Sequence, residues 1–324
     1  MTTSHKNPFA LRYDRRKSLW DRRENGAGRS GAARTSIREA YPGLSLSKAQ
    51  HERFKCFLAT ALVFFAPQIF AVDRTLSLPE HLQQGQLVIG HVAHDAKIEF
   101  AGRRVRVGED GVFVIGLERD APAQMPLNVR FSNGKVQHVL LKVAKREYHI
   151  EHIQGLPQKT VTPDPETAKR IARERERIVE ARKRDDARED FIKGFVLPVE
   201  GARIGGTYGN QRIDNGVPMT PHFGLDMVVP TGTPVHAPAD GVVTLAEPDM
   251  VLNGGIVLID HGFGLSSATI HMSKLDVKAG DKVTQGQLIG LAGATGRATG
   301  PHVHWAFNWF DVALDPALLP KPAK

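Results

Sequence analysis

A single cysteine, Cys56, stands among 324 residues. It cannot close a disulfide within the chain, and it excludes every cysteine-rich zinc module. No H-E-x-x-H segment occurs, so the paired histidines and glutamate base of a helix-borne metalloprotease site are missing. The glycine-rich stretch 293-GATGRATG-300 lacks the Gly-Lys-Ser/Thr ending with which a phosphate-binding loop reaches phosphate and magnesium. It reads instead as a flexible wall presenting Pro301 and His302. No repeat of solenoid length is visible. Excess positive charge is lacking outside one region. Residues 1–55 hold 13 Lys/Arg against 5 Asp/Glu, and the rest of the chain carries 30 of each sign, so the net +8 belongs to the leading segment alone. A nucleic-acid partner is therefore excluded for the folded part.

In that leading segment, Arg53 and Lys55 precede 56-CFLATALVFFAPQIFAV-72, and no charge follows until Asp73. A basic flank before an apolar run of this length has the form of a signal peptide over 51–72. A membrane-spanning helix needs about 20 apolar residues, and this run is shorter and interrupted by Pro67. Export to the periplasm or cell envelope, with cleavage after Ala71, is the expectation; a retained N-terminal membrane anchor is the alternative. Residues 1–50 precede the usual start of such a signal and read as a disordered basic extension or a mis-called start.

The length calls for two folded units, and the patterning predicts a mainly β protein. Alternation in 97-KIEF-100, 104-RVRV-107, 127-LNVRF-131 and 136-VQHVLLKV-143, with the buried run 112-VFVI-115, predicts a small antiparallel β domain over 74–155. Asn133-Gly134 marks a hairpin within it. His91 and His94 form H-x-x-H there, but without a third ligand nearby they read as surface histidines. A charged helical linker follows over 164–193, with Asp164 as N-cap and Pro165 at the first helical position. Ile171, Ile178 and Val179 give the 164–190 stretch only a thin apolar stripe, so a mostly solvated helix is expected. Residues 195–319 return to short strands rich in glycine, including 241-GVVTLA-246, 255-GIVLID-260, 282-KVTQGQLIGLAG-293 and 302-HVHWAFNWF-310. These predict a second antiparallel sheet.

Three stretches of this last segment concentrate side chains able to do chemistry: 222-HFGLD-226, 269-TIHMSKL-275 and 302-HVH-304. In a strand, residues two apart share a face, so His302 and His304 point one way while Val303 and Trp305 face the opposite layer. His222 and Asp226 would lie about 13 Å apart on a straight strand, too far for one ion; the chain must bend, and Gly224 at the midpoint permits it. A catalytic zinc commonly takes three protein ligands and leaves a fourth position for water. His222, Asp226 and one of the HVH pair supply that set. With no glutamate base available, His271 and the non-ligating member of the pair are the natural acid–base groups. His236 and His261 lie near turns and read as surface or hydrogen-bonding residues; Tyr208 and Asn210 precede the first ligand stretch and read as groove lining.

The ordered set H-x-x-x-D, a lone His in a strand, and H-x-H after a Gly/Thr-rich loop resembles the lysostaphin-like (LytM-type) zinc metallopeptidases. The likeness extends to 205-GGTYGNQR-212, 230-PTGTPVHAPADGVV-243 and 290-GLAGATGRATGPHVHW-305, and so covers about 195–319. The resemblance implies one zinc ion on His222, Asp226 and His304, with His271 and His302 as the catalytic acid–base or orienting groups. It further implies an exported endopeptidase that cuts the peptide cross-links of bacterial peptidoglycan. The lone-His strand departs from the family's usual Tyr–Ala–His–Leu flavour, reading Thr269-Ile270-His271-Met272 here, which changes packing beside the site.

Two other classes compete. A catalytically weak or inactive relative would activate a cell-wall amidase or serve a division complex, docking through the 164–190 helix. The segments 239-ADGVV-243 and 280-GDKVTQGQLIG-290 resemble the strand–turn patterns of biotinyl and lipoyl carrier domains, but the lysine such a domain presents at a hairpin tip is missing.

Overall fold

The computed structural model describes residues 76–153, 164–214 and 216–323. The signal peptide or anchor over 51–72 and the basic extension over 1–50 lie outside the described residues. Among the described residues no helix is long and apolar enough to cross a membrane.

The first β segment folds where alternation placed it. A five-stranded sheet runs in the spatial order Leu82–Gln83, Val136–Ala144, Gln124–Arg130, Lys97–Phe100, Arg103–Val105, and Leu87–His91 pairs with Val112–Gly116 beside it. The hairpin between Gln124–Arg130 and Val136–Ala144 turns on Asn133-Gly134. Gly134 takes φ 82°, a left-handed value ordinary for glycine, and the Asn133 side chain accepts the Lys135 N–H at 2.9 Å. His91 and His94 are exposed and join no cluster of metal-binding groups among the described residues.

The helix runs Pro165–Ala181, with the Asp164 carboxylate accepting from Glu166 and Thr167 N–H. It stops before 190 because the next residues are held elsewhere. Arg188 pairs with the buried Asp260, Asp186 O accepts the Phe263 N–H at 2.9 Å, and Phe191 packs edge-on to Phe263 at 5.2 Å. The helix lies along the Gly241–Met250 strand. Arg177 pairs with Glu247, the Glu174 carboxylate accepts the Val251 N–H, and Ile178 and Ala181 cover an apolar cluster of Leu245, Met250, Ile256, Leu258 and Ala268.

The C-terminal segment is built on an eight-stranded sheet. Its spatial order is Lys282–Val283, Gly241–Met250, Gly254–Gly262, Leu265–Met272, His302–Trp309, Leu225–Val228, Arg203–Gly206, with Val312–Leu314 paired beside His302–Trp309. Gly254–Gly262 is buried along its whole length. Ile256 and Leu258 face the helix, while Val257 and Ile259 face the main core. Val303, Trp305 and Phe307 also face the main core, so His302 and His304 occupy the helix side of the sheet.

That main core runs continuously from Leu82 to Leu319, so the two β segments share one apolar interior. Trp309 meets Phe100 at 6.1 Å between ring centroids. Two short strand pairs are parallel rather than antiparallel: Leu82–Gln83 on Val136–Ala144, and Ile150–Ile153 on Gln211–Asp214. The second of these ties the end of the first β segment to the hairpin that leads into His222.

Candidate metal centre

Register brings the site together. Asp226 on Leu225–Val228 is the direct partner of His304, and Val228 is the partner of His302. His222 precedes that strand in the chain and reaches back to it through a bend at Gly224. Gly224 is needed for space rather than for freedom of φ, since a Cβ there would sit on the His304 ring and the Trp305 carbonyl. Gly206 plays the same part from the edge strand, where a Cβ would collide with the Asp226 carboxylate.

Three donor atoms converge. His222 Nε2 lies 3.1 Å from Asp226 Oδ1 and 2.8 Å from His304 Nδ1, and His304 Nδ1 lies 2.8 Å from Asp226 Oδ1. Among the described residues this is the one cluster of three such groups. His222 Nδ1 donates to the Thr207 carbonyl at 2.9 Å, which fixes that proton and turns the Nε2 lone pair inward. Three lone-pair atoms at this spacing repel unless a proton or a cation lies among them. Two imidazoles and a carboxylate are a fitting donor set for a divalent ion.

Burial works to raise the Asp226 pKa, but the pairing with the His222 and His304 rings outweighs it and holds the carboxyl well below the usual range. Burial likewise opposes charge on His222, yet the bond to Asp226 raises its pKa above the ordinary value. Burial prevails at His304, whose pKa is lowered.

His302 and His271 stand beside this trio. His302 Nδ1 donates to the Gly300 carbonyl at 2.8 Å, leaving Nε2 3.8 Å from Asp226 Oδ1. His271 Nδ1 donates to the Thr295 carbonyl at 2.8 Å, and its ring centroid is 4.7 Å from that of His302. Burial pushes the His271 pKa down to about 4, so this imidazole is neutral near pH 7.

The position of His271 is not what alternation alone gives. Ile270 pairs with His304 and packs on the helix side of the sheet. Its neighbour His271 should therefore face the main core. Instead the strand bulges. Gly255 opposes Met272 while Val257 opposes Thr269, so an extra residue enters between them. His271 adopts φ 66° in that bulge. The left-handed conformation costs a non-glycine residue about 1–2 kcal/mol, and it swings the ring to the face that carries His302. Bulges that re-aim a side chain recur beside active sites.

All five histidine and aspartate positions singled out from the sequence meet at this place. The sequence reading missed the backbone carbonyls of Thr207, Thr295 and Gly300 that fix the three ring orientations, and no residue-type signal announces a carbonyl. Tyr208 does not line the groove. It is 2% exposed, donates its hydroxyl proton to the Ala313 carbonyl and packs on Tyr148 and Phe223. His261 is fully buried between Asp240 O and Ser267 Oγ, at 2.7 and 2.8 Å, far from a surface role. The 293–300 segment is pinned by its own hydrogen bonds rather than loose: Arg297 N–H donates to Leu252 O at 2.9 Å, and Thr295 is bonded through both its hydroxyl and its carbonyl.

A β-sheet face that gathers His, Asp and His beside two further imidazoles carries the donor set of a divalent-metal site. Residues 220–316 match the sequence profile of Peptidase family M23. A crystal structure of a putative peptidase M23 from Pseudomonas aeruginosa is 31% identical, covering 73% of this chain and 93% of that one, with a TM-score of 0.57. The chain belongs to peptidase family M23, a family of metallopeptidases. It is 46% identical over 87 residues to the peptidoglycan DD-endopeptidase ShyA of Vibrio cholerae, a stretch covering 27% of this chain and 20% of ShyA. It is 41% identical over 137 residues to a metalloprotease of Haemophilus influenzae, covering 41% of this chain and 29% of that protein. The chain thus spans well under half the length of these curated relatives.

Proposed function

We propose that the chain is a zinc metalloendopeptidase acting on the peptide cross-links of bacterial peptidoglycan in the periplasm or cell envelope. The observation that carries this reading is the convergence of His222 Nε2, Asp226 Oδ1 and His304 Nδ1 within 2.8–3.1 Å, with two further imidazoles at hand. The substrate class is supported by the name of ShyA, a peptidoglycan DD-endopeptidase.

His222, Asp226 and His304 would hold the ion. Zinc, when bound in such a set, supplies Lewis acidity and lowers the pKa of water towards about 7. The rest falls to the chain's own groups. His302 and His271 both keep Nδ1–H on backbone carbonyls, so each offers an Nε2 lone pair to the reacting atoms. Such an Nε2 lone pair takes the proton of the attacking water as the C–O bond forms. It returns that proton to the departing amine nitrogen as the C–N bond breaks.

Mass spectrometry of muropeptides released from purified peptidoglycan, with metal analysis of the same samples, tests the reading. The wild-type chain is expected to hold one zinc and to release cross-link fragments. His304→Ala should lose both, whereas His271→Ala should keep zinc and lose turnover. Stoichiometric zinc with no released fragments would assign the chain instead to the amidase-activating class. The Pro165–Ala181 helix, through which such a relative would dock, already rests Ile178 on its own sheet.

A further inference from the structure

The bulge that turns His271 towards the site is held by one residue on another segment, Thr295. Its hydroxyl accepts the Gly255 N–H at 2.9 Å and donates to the Met272 carbonyl at 2.8 Å. Gly255 and Met272 are register partners, so the hydroxyl bridges the two strands at the edge of the bulge. The backbone carbonyl of the same threonine accepts the His271 Nδ1 proton. Thr295 thus grips both the main chain after His271 and its ring.

The surroundings are shaped to this contact. Gly254 takes φ 60°, and a Cβ there would collide with Thr295. The His271 N–H, left without a ladder partner by the bulge, donates to the Asn253 carbonyl at 2.8 Å. A Cβ at Gly293 would press on the His271 carbonyl. None of these contacts touches His222, Asp226 or His304: Asp226 and His304 are placed by the Leu225–Val228 and His302–Trp309 strands, and His222 by the backbone of Thr207, Gly209 and Asn210.

We infer that Thr295 is a positioning residue: its hydroxyl locks the strand bulge and its carbonyl locks the ring tautomer, and together they hold His271 on the catalytic face. The kinetic part of this inference rests on the hydrolase reading; the spectroscopic part does not. A misplacement of about 1 Å costs on the order of 10²-fold in rate. A loss of that size in kcat, at unchanged KM and zinc content, is expected for Thr295→Val in the full chain. Thr295→Ser keeps the hydroxyl and is expected to restore the rate.

Nitrogen-15 NMR of the histidine rings provides the independent arm. In the wild-type chain the His271 ring should carry its proton on Nδ1, shielded from exchange. In Thr295→Val that signal should move or broaden while Thr295→Ser retains it. A wild-type ring protonated on Nε2 would overturn the inference whether or not the chain hydrolyses anything. So would wild-type kcat in Thr295→Val, or loss of zinc in step with loss of rate. If Thr295→Val does not fold, Thr295→Ala removes the same hydroxyl with less steric demand and carries the same outcomes.

Discussion

Arg119 donates from Nε to the backbone carbonyl of Gly209, 90 residues further along the chain, at 2.8 Å. Gly209 in turn donates its N–H to the His222 carbonyl, and His222 donates its own to Asn210 O. The Tyr148 ring closes on Gly209 where no Cβ would fit, and Arg119 stacks over that ring at 4.4 Å. The first β segment therefore braces the loop that carries His222.

Arg119→Ala should expose the cost of losing that brace. Arg119 is 8% exposed, and a hydrogen bond from a charged group contributes about 1.5–3 kcal/mol. Denaturant unfolding is expected to show a loss in that range. The braced loop carries His222, so chelator competition should show earlier release of zinc. Unchanged zinc affinity would separate the first β segment from the metal centre.

Gly224→Ala tests the packing of the site. Its methyl would occupy the space of the His304 ring, against the Trp305 carbonyl, so the ring or the backbone must move. Loss of stoichiometric zinc is expected although no ligand has changed, with an overpacking penalty of about 1–3 kcal/mol in unfolding experiments.

The left-handed backbone of His271 predicts an inversion of the usual ranking. Glycine at φ 66° is unstrained, whereas alanine is not. His271→Gly is expected to be more stable than His271→Ala by about 1 kcal/mol, with both variants inactive and both holding zinc. Equal stabilities would mean that the bulge relaxes when the ring is removed.

Acid stability should depend on two buried neighbours with opposite signs. Burial lowers the His261 pKa to about 4 from 6.5. The unfolded chain therefore takes up that proton first, and the stability held above pH 6.5 is lost as pH falls towards 4. By the pKa difference the loss approaches about 3 kcal/mol. Burial raises Asp260 to about 6 despite Arg188 beside it. This group binds its proton more tightly when folded, so its contribution grows as pH falls from 6 to 3.8. Chemical unfolding between pH 7 and 4 should therefore show a shallow slope in the wild type. Asp260→Asn should steepen the loss in acid, and His261→Asn should reverse its sign.

Much of this was legible in the residues themselves. Strand alternation, the Asn133-Gly134 turn and the Asp164 cap each have local causes, and each appears in the fold. The spacing of His222 and Asp226 around Gly224, with His302 and His304 on one face, located the site. What stayed hidden has non-local causes. Alternation would have turned His271 away from the site, because a bulge is a property of the pairing between two strands rather than of either sequence. Tyr208 read as groove lining because nothing nearby in sequence reveals that Tyr148 and Ala313 enclose it. The helix looked nine residues longer than it is, since its end is set by Arg188 and Phe191 meeting Asp260 and Phe263.

The Gly254–Gly262 strand is covered on both faces and paired on both edges. Its amide protons can reach solvent only when the entire fold opens, so their deuterium uptake measures the free energy of global unfolding. A ligand that binds only the native state slows that uptake by a factor of one plus the ratio of free ligand concentration to Kd. Following one peptic fragment from this strand would thus reveal metal loading of the proposed centre without any assay of cleavage.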